Sequence, residues 1–135
     1  MVTDQVTLTV KKKLKTLEQT WHTYAGGILF REAVDYSLGC IKNYKLQYLL
    51  SDTTNAKPLN ESDLEYCNHV LKEMQRQGLR QFITVKPVFP ITNYTLLQIK
   101  RQVSDVLPVR VFETRQDAIL TIQQELLNDT QLSLF

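Results

Sequence analysis

The sequence predicts an α/β fold, a mixed and mostly parallel β-sheet laid down in the order β-β-α-β-α-β-α-β-α. Three observations lead there. The spacing of apolar residues switches repeatedly between a period of two and a period near 3.6, the signatures of half-buried strands and one-faced helices. Glycine, proline or helix-capping residues stand at most of the switches. From the second strand onward one helix-length segment separates each strand from the next, and strands joined that way pair in parallel through right-handed crossovers.

Residues 5–10 alternate polar and apolar, with Val6, Leu8 and Val10 to one side. Residues 17–24 do the same: Leu17, Gln19, Trp21 and Thr23 share one face, and Glu18, Thr20, His22 and Tyr24 the other. Between the two strands lie Lys11, Lys12, Lys13 and Lys15. The plainer reading of this run is a solvated hairpin connection whose charge discourages edge pairing; phosphate binding is the sharper one. Ala25-Gly26-Gly27 ends the extended structure. Over residues 28–44 Phe30, Ala33, Val34, Ser37, Leu38 and Ile41 recur three and four apart and mark one buried stripe of a first helix.

Residues 46–50 form a nearly continuous apolar run, as expected of a strand covered on both faces. After a polar loop over 52–58, Asn60 is placed to cap a second helix, while Glu61 and Asp63 suit the positive end of its dipole. Leu64, Cys67, Leu71 and Met74 are its inner line, and Gly78 ends it. Residues 79–85 are β-branched and aromatic, hence a strand, and Pro87 and Pro90 stop it. Thr92 or Asn93 is expected to cap a third helix with Leu96, Ile99, Val103 and Val106 inside and Pro108 at its end. A short strand over 109–112 follows, and Thr114-x-x-Asp117 resembles a capping box for a fourth helix with Ala118, Ile122 and Leu126 inward. The expected organisation is one domain over 1–127 and a polar C-terminal tail, 128–135, with an apolar tip.

At 135 residues, 43% apolar and 22% charged, the chain can bury a core without a disulfide or a metal staple. A formal charge of +2 is too small to indicate nucleic acid by field alone, so no direct nucleic-acid partner is expected. No apolar run reaches the roughly 18 residues of a membrane span. The opening Met1-Val-Thr-Asp-Gln lacks the basic-then-apolar order of a secretion signal, so a cytoplasmic location is expected. Cys40 and Cys67, in helical patterns and outside any C-x-x-C spacing, read as reduced core thiols.

His22, Cys40, Cys67 and His69 are scattered without metal-ligand spacing, so neither a metal nor a cofactor is expected. Neither cysteine sits in a nucleophile signature and no G-x-S-x-G elbow occurs, so no catalytic residue is assigned and the chain is read as a non-enzyme. Asp52, with Thr53 and Thr54, falls at the C-terminal end of a parallel strand, the rim where ligands bind in open α/β sheets. An Asx-turn is the plainer role for the same aspartate. Trp21, Tyr24, Tyr36, Tyr44, Tyr48 and Tyr66 are numerous enough to line a pocket for a small hydrophobic ligand, with core packing as the plainer account. Gly26-Gly27 precedes a helix but lacks the longer glycine pattern of a phosphate loop.

The last five residues read QLSLF. They resemble the pentapeptide by which many bacterial replication and repair proteins grip the sliding clamp. A flexible tether that carries Gln131, Leu132, Leu134 and Phe135 can place apolar anchors in a partner's groove, while the plainer reading folds the tail back on its own domain.

A tryptophan and glycines before the first helix, then YLLSD at 48–52, NESDLEY at 60–66, QGLRQFITV at 77–85 and VRVFETRQDAI at 109–119 stand in a suggestive order and spacing. Over residues 21–127 the chain resembles the SpoIIAA-like proteins of the STAS/Sec14 type. That resemblance implies a β-α superhelix and a non-catalytic role in regulation or binding, toward a protein partner or a small hydrophobic ligand, and a homodimer is compatible with it. In classical STAS proteins a serine or threonine in a D-S-S-G-like turn opens the second helix and accepts phosphate. The matching place here is Asn60-Glu61-Ser62-Asp63, which keeps a serine and lacks the glycine and the Asp-Ser order. Asp52, Thr53, Thr54 and Ser62 are therefore the candidate ligand or regulatory rim.

Overall fold

The structure is a computed structural model that describes residues 1–132, with side chains described through Thr130. In chain order the elements are β1 (Val6–Lys11), β2 (Thr16–Trp21), α1 (Gly27–Tyr44), β3 (Tyr48–Asp52), α2 (Glu61–Arg76), β4 (Gln81–Val85), α3 (Pro90–Val103), β5 (Val109–Phe112) and α4 (Arg115–Leu132). A 3-10 turn, Lys12–Leu14, joins β1 to β2. The five strands lie side by side in sequence order, β1 antiparallel to β2 and the other neighbours parallel. The expected mixed, mostly parallel α/β architecture is therefore the one observed.

Strand order without a reversal has a consequence for the faces. Right-handed crossovers that always step the same way carry every connecting helix to one side of the sheet. On that side Val6, Leu8, Leu17, Leu49 and Phe82 meet Phe30, Ile41, Leu71, Met74, Ile99 and Val103 from α1, α2 and α3 in the main core. Among the described residues α4 is the one helix of the opposite side, where Tyr48, Leu50, Ile83 and Val85 pack against Ala118 and Ile122, with Leu14 of the 3-10 turn beside them. Register separates the two sets, since Leu49 pairs with Phe82 while its neighbours Tyr48 and Leu50 pair with Gln81 and Ile83.

Three local expectations are corrected. Helix α3 begins at Pro90, one turn position earlier than a Thr92 or Asn93 cap would place it, because proline's fixed φ and missing N–H suit the first helical residue. Thr92 is instead buried and donates its hydroxyl to the carbonyl of Ala56 at 2.8 Å. Val106 lies past the end of α3 and is exposed, and Leu107 takes the buried place. Helix α4 continues through Leu132, so residues 128–130 are helical where a polar linker was expected. Asp129 explains part of this: its carboxylate pairs with Arg80 at 2.8 Å. No helix among the described residues is long and apolar enough to cross a membrane.

Candidate functional site

The C-terminal ends of β2, β3 and β4 and the helices that follow them form one rim. Its loops are tied to one another. The N–H of Val88 donates to the carbonyl of Thr54 at 3.0 Å, Thr92 reaches Ala56 as above, and the Lys57 ammonium sits 3.6 Å from the Phe89 ring centroid. Thr53 is buried and donates its hydroxyl to the carbonyl of Val85, which locks the end of β3 to the end of β4.

Under this rim, on the α1–α3 side, lies a cavity of about 70 Å³. Thr23 and Ala25 from the loop after β2, Thr53 and Ala56 from the loop after β3, and Thr92 and Thr95 from α3 all face it, so two loops and the start of a helix surround one mouth. Its deeper wall is apolar and includes Trp21, Phe30, Cys67, Met74 and Phe82. The polar groups that the sheet sends into this region are internally matched. Gln19 donates to Ser37 at 2.8 Å, Ser37 to the carbonyl of Ala33 at 2.8 Å, and Trp21 Nε1 to Ser51 at 3.0 Å. Burial pushes the Cys67 thiol up to about 12, so it is a protonated wall group.

The segments that lead into α1 and α3 at this rim carry exposed apolar residues. Tyr24 and Ile28 precede or open α1, while Val88, Phe89, Ile91 and Tyr94 precede or open α3, and all six are exposed. Ile28, Ile91 and Val88 are 76%, 70% and 68% exposed, values at which a large aliphatic side chain gains nothing from its own fold.

The predicted rim residues do not converge on one point. Asp52 points to the α4 side of the sheet, where its Oδ1 accepts the N–H of Thr54 at 3.1 Å and the Thr54 hydroxyl at 2.6 Å, an Asx-turn. Thr53 points the other way, into the cavity wall. Ser62 is exposed in the first turn of α2 and accepts from Arg31 Nη2 at 2.7 Å. The pocket expected from six aromatics is also corrected. Tyr24, Tyr36 and Tyr44 are exposed, Tyr48 lies on the other face, and Tyr66 is bonded to Asp35, which leaves Trp21 as the member that lines the cavity, joined by Phe30 with ring centroids 5.6 Å apart.

Asp63 organises the rim, and sequence reasoning gave it only a dipole role. It is buried, accepts the N–H of Gly27 at 2.9 Å and the side-chain amide of Asn60 at 3.1 Å, and lies 3.5 Å from Arg31 Nε. The carboxylate thus caps the start of α1 and braces the side chain of Asn60, whose Oδ1 caps α2 by accepting the Asp63 N–H at 2.8 Å, and Gly27 supplies the φ of +58° that aims its amide at Asp63. The legible signal was the spacing Asn60-x-x-Asp63, in which the N3 residue can reach back toward the cap. Gln131, Leu132, Leu134 and Phe135 of the expected partner-binding tail lie outside the described side chains.

No protein-family model and no curated protein matches the sequence. Among solved structures the chain is similar to that of the anti-sigma factor antagonist SpoIIAA in its unphosphorylated form, at 13% identity over 87% of this chain and 97% of that one, with a TM-score of 0.63. The backbone course of this protein is therefore SpoIIAA-like, as the order of its sequence motifs implies.

Proposed function

We propose that this is a non-catalytic regulatory domain of STAS type whose apolar strand-end rim docks a protein partner. The observation that carries the reading is the exposure of Ile28, Val88 and Ile91 at the starts of α1 and α3, on a rim whose segments are cross-tied. Exposed apolar groups on a pre-ordered surface bind at little ordering cost, and the exposed aromatics beside these aliphatics, Tyr24, Phe89 and Tyr94, include the side-chain type that anchors protein interfaces. The cavity beneath, at about 70 Å³, falls far short of the roughly 300–1,000 Å³ typical of ligand pockets, which favours a protein over a small hydrophobic ligand. The fold neighbour is named an anti-sigma factor antagonist, and a protein partner for this chain extends that role by likeness of fold. Ser62, held by Arg31 at the start of α2, stands beside the same rim, with Asp52 and Thr54 on its α4 side.

The test places a photo-crosslinking residue at Ile28, Ile91 or, as control, the exposed Leu120 of α4. One partner captured from host lysate at both rim positions and not at Leu120 is expected. Its affinity for the purified chain should fall at least tenfold in Ile28→Ser/Ile91→Ser without a matching loss of thermal stability. Capture at Leu120 as strong as at the rim, or rim variants that bind normally, would refute the reading.

A further inference from the structure

The end of the molecule opposite the rim is different in kind. The 3-10 turn between β1 and β2 and the C-terminus of α1 meet there: the carbonyl of Lys15 accepts the N–H groups of Gln47 at 2.7 Å and Tyr48 at 3.1 Å, and the Lys12 ammonium lies 5.1 Å from the Tyr44 ring centroid. These bonds bring together two basic groups that are far apart in the chain. Lys11, Lys12, Lys13 and Lys15 come from the turn, and Lys42 and Lys45 from the end of α1. All six are exposed, and no salt bridge among the described residues engages any of them. The acids of α4, whose second half packs toward this turn, are committed elsewhere, Glu125 to Arg110 and Asp129 to Arg80. Backbone geometry fixes the corner, because Lys15 and Lys45 both adopt left-handed φ, 48° and 53°, where each closes its turn.

Six lysines outweigh the chain's whole formal charge of +2, so the remainder of the molecule is net negative. A negatively charged surface would repel the body and attract this corner, which orients the domain. The corner is a knob formed by a tight turn and a helix end, with neither a groove nor a row of free aromatics. Single-stranded nucleic acid is held in grooves with stacking platforms, and duplexes by an element that enters a groove. Lysines on long stems around a knob can instead all reach one plane, and a compact ammonium is suited to diffuse attraction rather than to forked recognition. We propose that the Lys11–Lys15 turn and the Lys42–Lys45 helix end form a docking surface for an anionic lipid bilayer. Binding there leaves the apolar rim, at the other end of the parallel strands, facing away from the membrane and open to its partner.

Each lysine near an anionic bilayer contributes about a fivefold factor in affinity, so the attraction should be strong at low salt and vanish at high salt. The full chain is to be sedimented with phosphatidylcholine vesicles that contain about a third phosphatidylserine, and with pure phosphatidylcholine vesicles. Binding is expected only to the former, lost in 0.5 M salt, and weakened roughly a hundredfold in Lys11→Gln/Lys13→Gln/Lys42→Gln. The rim variant Ile28→Ser/Ile91→Ser and the opposite-end variant Lys57→Gln should bind as the parent does, so that failure of this proposal and failure of the rim reading are distinguished. All variants are exposed-site changes, and unchanged thermal stability verifies their folding. Equal binding to both vesicle types, or a lysine triple variant that binds normally, would overturn the proposal. So would tighter, salt-sensitive binding to a DNA or RNA oligonucleotide of matched charge than to the anionic vesicles.

Discussion

Under α1, α2 and α3 the sheet faces a core of 24 buried apolar residues; under α4 the corresponding core has six, among the described residues. Ion pairs and hydrogen bonds supplement the smaller one. Glu125 accepts from Tyr48 at 3.2 Å and Gln81 at 2.8 Å while pairing with Arg110, Asp129 pairs with Arg80, and Arg115 forms a two-pronged contact with Glu18. The difference follows from connectivity. A helix between two parallel strands is fixed at both ends by the sheet, whereas α4 follows the last described strand and is held on the sheet by its own side chains. The α1–α3 side is accordingly expected to behave as the cooperative body of the fold and α4 as a separately releasable cover.

The largest effect should come from enlarging the main core where it is already hollow. Leu49 is 1% exposed and lines the 70 Å³ cavity, so Leu49→Ala adds its lost volume to an existing void that its neighbours do not collapse to fill. A loss of about 4 kcal/mol in urea unfolding is expected, toward the upper end for such truncations. A loss under about 2 kcal/mol would mean that this face relaxes readily and is not the rigid one.

Alkaline titration probes the same face through Cys67. Its folded pKa is raised from 9.0 to about 12 by burial, so between those values the folded state holds a proton that the unfolded state releases. Stability from this group is full below pH 9 and declines as pH rises toward 12, by up to about 1.4 kcal/mol per pH unit. Cys67→Val should flatten that decline in chemical-denaturation series at pH 8 to 10.5. An unchanged slope would show that Cys67 ionises as freely folded as unfolded, and that the cavity wall admits water.

On the other face, Ile122 is fully buried in the six-residue core, and Ile122→Ala is expected to cost about 3 kcal/mol. Its decisive readout is amide hydrogen exchange. Residues of α4 should lose protection while β3 and β4 keep theirs, and simultaneous loss would remove the distinction between body and cover.

Much of this two-sided plan is legible in sequence, because strands that alternate and helices with one apolar stripe announce which residues go inward. What stays hidden is pairing across distance. Proline at position 90 reads as the stop of a strand and serves equally as the start of a helix, so a cap at Thr92 or Asn93 falls beyond the observed one at Phe89. Residues 128–130 are polar and read as linker, yet Asp129 meets Arg80, a partner 49 positions away. Tyrosines count as one cluster by composition, but Tyr48 and Leu49, adjacent in chain, face opposite sides of the sheet. At the rim, Asp52 was recognisable as a strand-end acid, whereas the bond from Gly27 to Asp63 joins two helix starts that only the crossover brings together.

The smallest expected effect separates polar from apolar anchoring of α4. Glu18 is only 8% exposed, so Arg115→Met strands a carboxylate that has little access to water, but Arg115 itself is about half exposed and solvent screens the pair. A fully buried pair broken this way loses roughly 3–5 kcal/mol and an exposed one under about 1, which places this variant near 1–2 kcal/mol. Arg80→Met, which breaks a pair exposed on both sides, should lose under about 0.5 kcal/mol. Glu18→Gln/Arg115→Met should recover part of the loss, since a neutral amide is cheaper to bury than an unpaired charge. If Arg115→Met is no worse than Arg80→Met in the same urea assay, then the contact between the start of α4 and β2 is solvated in practice. The first half of α4 would in that case be held to the sheet by the packing of Ala118 and Ile122 on their four strand neighbours, a smaller version of the same apolar principle that builds the other face, with the polar ties confined to Glu125 and Asp129 further along.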